Sequence, residues 1–95
     1  MENTKVNEAL KGGCQEAVAT FEKISLEEFT DIQAKLEWVI GSYDYDKNPS
    51  GLHEVGNIAL NTLKEFKEQK PRGGVTKKVL DKLEKSIKKY EEVYS

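Results

Sequence analysis

From Ser25 to Ser95 the apolar residues recur at three- and four-residue intervals in three successive stretches, each opened by its own helix start signal. That periodicity confines the chain to helices packed on helices, because a strand would need strict alternation. The first stretch opens at Ser25-Leu26-Glu27-Glu28, the pattern of a capping box, in which the Ser25 hydroxyl and the Glu28 carboxylate satisfy each other's backbone N–H. A helix is therefore expected over 25–42. Its stripe is Leu26, Phe29, Ile32, Leu36, Val39, Ile40 and Tyr43, with Gly41-Ser42 and the polar run 44–48 ending it.

Asn48-Pro49 then combines a good N-cap with proline at the first helical position, where a missing N–H costs nothing. The second stretch, 49–69, carries Leu52, Val55, Ile58, Ala59, Leu63 and Phe66 on one face, and Gly56 lies within that face. A mid-helix glycine costs about 1 kcal/mol relative to alanine, so one on the apolar side implies a close approach by another helix. Lys70-Pro71-Arg72-Gly73-Gly74 breaks the chain, and Thr76 caps a third stretch, 76–93, with Val79, Leu80, Leu83, Ile87, Tyr90 and Tyr94 as its stripe.

Upstream, Gly12-Gly13 interrupts the pattern. Cys14, Ala17, Val18, Phe21 and Ile24 support a helix over 13–23. Residues 1–12 are expected outside it and open to disorder, although Val6, Ala9 and Leu10 continue its phase. Four helices with short connections predict an all-α, antiparallel up-and-down bundle, with three helices plus an N-terminal arm as the alternative. Trp38 projects away from its own stripe, among Glu27, Asp31 and Lys35, so either the N-terminal segment or a partner is expected to cover it.

The 95 residues, 37% of them hydrophobic, suffice for one modest core and one domain. One cysteine excludes an intramolecular disulfide, no apolar run approaches a membrane span, and Met1-Glu2-Asn3-Thr4-Lys5 has no leader-like character. A cytoplasmic location without membrane insertion is the expectation.

Motif by motif, the chemistry is sparse. Asp44-x-Asp46-x-Asn48 opens like a calcium loop, but Pro49 stands where the turn glycine belongs and Val55 where the bidentate Glu belongs. His53, the single histidine, has no second imidazole, and His53-Glu54-Val55-Gly56 lacks the nearby lysine of bacterial phosphotransfer helices. Gly12-Gly13-Cys14 has the form of a double-glycine processing site, yet Val6 and Asn7 do not fit the leader pattern. Cys14 lies on an apolar stripe, the setting of an inert thiol. No catalytic site, cofactor or metal is expected, and no enzymatic activity.

Charge is distributed unevenly. Residues 1–69 carry 7 basic and 13 acidic side chains, while residues 70–90 carry 8 basic and 2 acidic. Lys77, Lys78, Lys82, Lys85, Lys88 and Lys89 share one side of the last helix, and Lys70 and Arg72 precede it. Such a face can hold an anion or nucleic acid. Asp81 and Glu92 dilute it, however, and no aromatic residue interleaves to stack on bases, which disfavours nucleic acid. The expected function is a protein-interaction or self-association module using Trp38, Tyr43 and Tyr45, with anion binding through Arg72, Lys78, Lys82, Lys85 and Lys89 as the alternative.

In length and helical order the chain is similar to the small bacterial immunity proteins that protect a bacteriocin producer. Their third helix often starts with proline and their last is Lys-rich, as at Pro49 and over residues 77–89 here. The resemblance is one of architecture alone, without a diagnostic motif, and it implies a bacteriocin-immunity-like protein as a further alternative.

Overall fold

The computed structural model describes residues 2–94, which form four helices and no strand: α1 (Glu2–Ile24), a short 3-10 turn (Glu27–Phe29), α2 (Thr30–Asp46), α3 (Ser50–Gln69) and α4 (Lys77–Tyr94). Neighbours in sequence run antiparallel, and their cross-links show it. Lys11, early in α1, reaches Asp44, late in α2; Phe29, before α2, stacks edge-on against Phe66, late in α3; Lys64, late in α3, pairs with Glu84 of α4. The ring closes where the Tyr94 hydroxyl donates to Asn7 of α1. Helices α1 and α3 also meet across the diagonal, which sets α2 and α4 at opposite corners.

The core is the sum of the apolar stripes. Leu10, Cys14, Ala17 and Phe21 from α1 meet Leu36, Val39 and Tyr43 from α2, Leu52, Ala59, Leu63 and Phe66 from α3, and Leu83 and Ile87 from α4. Two of the expected start signals operate as read. The Asn48 side chain accepts from the Ser50 N–H at 3.1 Å, with Pro49 between them in an αR conformation as the N-cap, and the Thr76 hydroxyl accepts from the Val79 N–H at 3.2 Å.

Three local expectations are corrected. The first helix begins at Glu2 rather than near residue 13, so residues 1–12 are not a disordered arm over the part described. Gly12-Gly13 do not break it because Gly13 is where α4 crosses. A Cβ on Gly13 would lie 2.9 Å from Ser86 Oγ, 3.1 Å from Leu83 Cδ1 and 3.3 Å from Leu83 Cα. Glycine there lets two helices approach closer than any side chain permits.

The capping box at Ser25 does not form. Ser25 adopts φ 59°, and its N–H donates to the Phe21 carbonyl at 2.9 Å, so it terminates α1 as a left-handed residue. A residue in that conformation cannot also supply the extended backbone of an N-cap, and α2 starts only at Thr30, after the 3-10 turn. Finally, Gly41-Ser42 do not end α2, which continues to Asp46 and closes on Lys47 at φ 60°. Tyr43 holds that last turn in the helix, since its ring is buried and its hydroxyl donates to Glu8 Oε2 at 2.6 Å.

Candidate functional site

The residues expected to mediate contact separate into three environments. Tyr43 is withdrawn from the surface, only 1% exposed, and bonds to Glu8 of α1. Burial, reinforced by the Glu8 carboxylate, pushes its hydroxyl up to about 12. It is a core residue. Trp38, in contrast, is 73% exposed and Tyr45 92% exposed. The N-terminal helix packs into the bundle without covering the indole, so the expectation that it would do so is corrected. Its cause is geometric: α1 packs on the Tyr43 side of α2, whereas Trp38 lines the groove with α3.

Trp38 lines a groove of about 570 Å³ between α2 and α3, together with Ala34, Lys35, Glu54, Val55 and Ile58. Ile58 is 47% exposed, although its spacing placed it in the apolar stripe of α3; it stands at the edge of that stripe, turned toward the groove. Asp31, Trp38 and Tyr45 follow one another at seven-residue spacing and so lie along one line of α2. Glu54 and Glu65, four before and seven after Ile58, line the facing side of α3 in the same way. Nearer the start of α2 and the end of α3, Glu28 and Glu65 flank a second depression lined also by Phe29 and Phe66.

The basic residues lie elsewhere. Lys77, Lys78, Lys82 and Lys85 border a shallow groove on α4 with Asp81 among them. Lys82 is engaged by Glu16 of α1, and Lys89 lies 3.9 Å from Glu92. Glu84 bridges Lys64 and Lys88, and the Lys64 hydrogen bond chiefly holds its carboxyl below the usual range. Arg72 is exposed in the 70–76 connection. Among the described residues Arg72, Lys77, Lys78 and Lys85 have no ion-pair partner.

Sequence reasoning named neither the aromatic ladder nor the groove. The ladder runs from His53, stacked on Tyr90 at 4.7 Å, to Tyr94, stacked on Tyr90 at 4.5 Å, with Glu91 Oε2 2.8 Å from His53 Nε2. His53 thus ties the start of α3 to the end of α4. Cys14 is buried against the Leu52 carbonyl, 3.6 Å from Sγ, and burial raises its thiol from 9.0 to about 12, the state of a weak nucleophile.

The calcium-like residues are spent on local structure. Asp44 sits inside α2 and binds Lys11 at 2.6 Å, Asp46 accepts from the Asn48 N–H, and Asn48 caps α3. Among the described residues no cluster of three or more His, Cys, Asp or Glu side chains is arranged to hold a metal ion. Nor is any described helix long and apolar enough to cross a membrane. No family model, curated protein or solved structure matches the chain.

Proposed function

We propose that this protein is a non-catalytic helical module that binds another protein chain through the α2–α3 face, with Trp38 as its anchor. The supporting observation is the exposure of that indole, at 73%, beside a half-exposed Ile58 over one groove. An apolar ring of that size left in water forfeits the stabilisation its burial would bring to folding. Tryptophan set in a groove and ringed by polar residues is also the side chain most often found at the energetic centre of protein interfaces.

The test is site-specific photo-crosslinking in the source cells, with a photoreactive amino acid at position 38 and, as a control, at the exposed Ala19 of α1. A discrete crosslinked species from position 38 and not from position 19 is the expected result. A product of twice the chain mass identifies self-association. No product from either position refutes the reading.

A second reading rests on Arg72 before α4, Lys77 and Lys78 at its start and Lys85 two turns further on, cations without an ion-pair partner among the described residues. They would attract an anion, but the face offers no planar stacking group, so the attraction would be electrostatic and salt-sensitive.

A further inference from the structure

Among the described residues the intramolecular ion pairs avoid the α2–α3 face. Across the bundle they join α1 to α2 on the far side (Lys11–Asp44), α1 to α4 (Glu16–Lys82) and α3 to α4 (Lys64–Glu84, His53–Glu91). Along the α2–α3 face stand Glu54 at the Trp38 groove, Asp31 seven residues before Trp38 on the same line of α2, and Glu28 and Glu65 at the second depression, with Lys35 as the basic residue lining the groove, and none of the five has an ion-pair partner among the described residues. The face is therefore apolar at the groove, through Trp38, Val55 and Ile58, and along its length carries four acids against one lysine.

This combination selects its occupant. Nucleic acid and anionic lipid would be repelled by the acid excess of this face. A second copy docking by its basic α4 would satisfy the acids, but the exposed side of α4 near Lys78 and Lys85 offers no apolar stripe for the indole. Strand addition has no template, since the described residues form no sheet edge. The cleft between two antiparallel helices instead suits a third helix laid along it, with apolar anchors at three- and four-residue spacing. From Asp31 to Tyr45 the line of exposed positions spans 14 residues, about 21 Å at 1.5 Å per residue, which a helix of similar length matches.

We infer that the α2–α3 groove receives a basic amphipathic helix of a partner protein, its apolar stripe against Trp38 and Ile58 and its Lys or Arg residues against Glu28, Asp31, Glu54 and Glu65. The inference rests on the interaction reading above and specifies the chemistry of the partner.

Because Trp38 is the single tryptophan, its emission reports the groove directly. The probe is a synthetic leucine–lysine amphipathic helix of about 18 residues, titrated into the full chain, with the leucine–glutamate peptide of the same pattern as its counterpart. The lysine peptide is expected to shift Trp38 emission to the blue saturably, and the glutamate peptide to leave it unchanged. The double variant Glu54→Lys, Glu65→Lys should weaken binding by about tenfold or more, since two attractive contacts become repulsive. Glu22→Lys, an exposed change on α1, should alter it by less than about twofold once bulk charge is screened. All three substituted positions are exposed, and an unchanged melting temperature verifies that the variants fold.

Saturable binding without a Trp38 shift, equal weakening by the α1 and α3 charge changes, equal binding of the glutamate peptide, or no binding of the lysine peptide would each overturn the inference. A discrete crosslink from position 38 alongside any of these results would keep the interaction reading and remove only the basic helix as its partner.

Discussion

Two adjacent glycines in α1 offer a direct measurement of how closely α1 and α4 pack. Replacing either with alanine in a helix interior gains about 1 kcal/mol of propensity, by removing backbone freedom from the unfolded chain. At Gly12 the nearest atom to a new Cβ is Lys82 Nζ at 4.0 Å, the end of a flexible side chain, so nothing opposes the gain. At Gly13 the new methyl meets Ser86 Oγ at 2.9 Å and Leu83 Cα at 3.3 Å. Ser86 is buried and already donates to the Leu83 carbonyl, and the Cα cannot rotate aside, so α4 itself must move. Overpacking of this kind costs about 1–3 kcal/mol. Gly12→Ala should therefore stabilise, Gly13→Ala should be neutral to destabilising by up to about 2 kcal/mol, and the gap between them is the packing term alone. In a domain of this size each kcal/mol moves the midpoint by about 4–8 °C, so thermal melts by circular dichroism resolve the difference. Equal stabilisation by both substitutions would show that α1 and α4 do not cross at Gly13, and the account of why Gly12-Gly13 fail to break the helix would fall with it.

Ser25→Gly should raise the melting temperature, because a left-handed non-glycine residue gives up about 1 kcal/mol that glycine recovers; a fall would restore the capping-box reading. Stability should decline on the alkaline side, since Tyr43 and Cys14 both titrate higher folded, at about 12, than their ordinary 10.0 and 9.0. Their stabilising contribution is complete below pH 9 and is lost as pH rises toward 12; urea melts of Tyr43→Phe should show a flatter decline, and an unchanged slope would refute the assignment. Trp38→Ala should shift stability by no more than about 0.5 kcal/mol, whereas Tyr43→Ala should cost about 3–5 kcal/mol, and comparable losses would place the indole in the core. Duplex or single-stranded DNA at physiological salt should give no saturable complex tighter than about 100 μM by anisotropy, and a submicromolar complex lost on changing Lys78, Lys82 and Lys85 to Glu would reverse the ranking of the two functional readings.

The sequence reading succeeded where the signal is local and chemical. Asn48 and Thr76 accept from nearby backbone N–H groups, so their identity alone locates the starts of α3 and α4. It also succeeded for Gly56, whose place on the apolar face matches a Cβ position only 3.2 Å from Cys14 Sγ. It failed where one residue type serves opposite purposes. Glycine at position 13 reads as a helix break by propensity, yet it is the residue a close crossing requires, and only the position of α4 decides between them. Serine at position 25 is a good N-cap by type, but the continuation of α1 to Ile24 makes it a terminator instead. The end of α2 failed likewise, because the Tyr43–Glu8 bond joins residues 35 apart and no window around Gly41 contains it.

The candidate site was half legible for a related reason. Trp38 and Tyr43 are five residues apart on one helix, roughly 140° around its axis, so helical phase alone assigns them to different faces. Phase cannot say which face a neighbouring helix occupies. The α1–α2 contact, fixed by Glu8–Tyr43 and Lys11–Asp44, takes the Tyr43 side and leaves the Trp38 side over the α3 groove. The acids there became significant only when the bundle sorted the charges, pairing Glu16 and Glu84 with lysines and leaving Glu28, Asp31, Glu54 and Glu65 without an ion-pair partner among the described residues. Nearly balanced formal charge over the whole chain, -2, thus coexists with an α2–α3 face that carries four acids against one lysine, and the binding preference inferred above follows from the packing rather than from the composition.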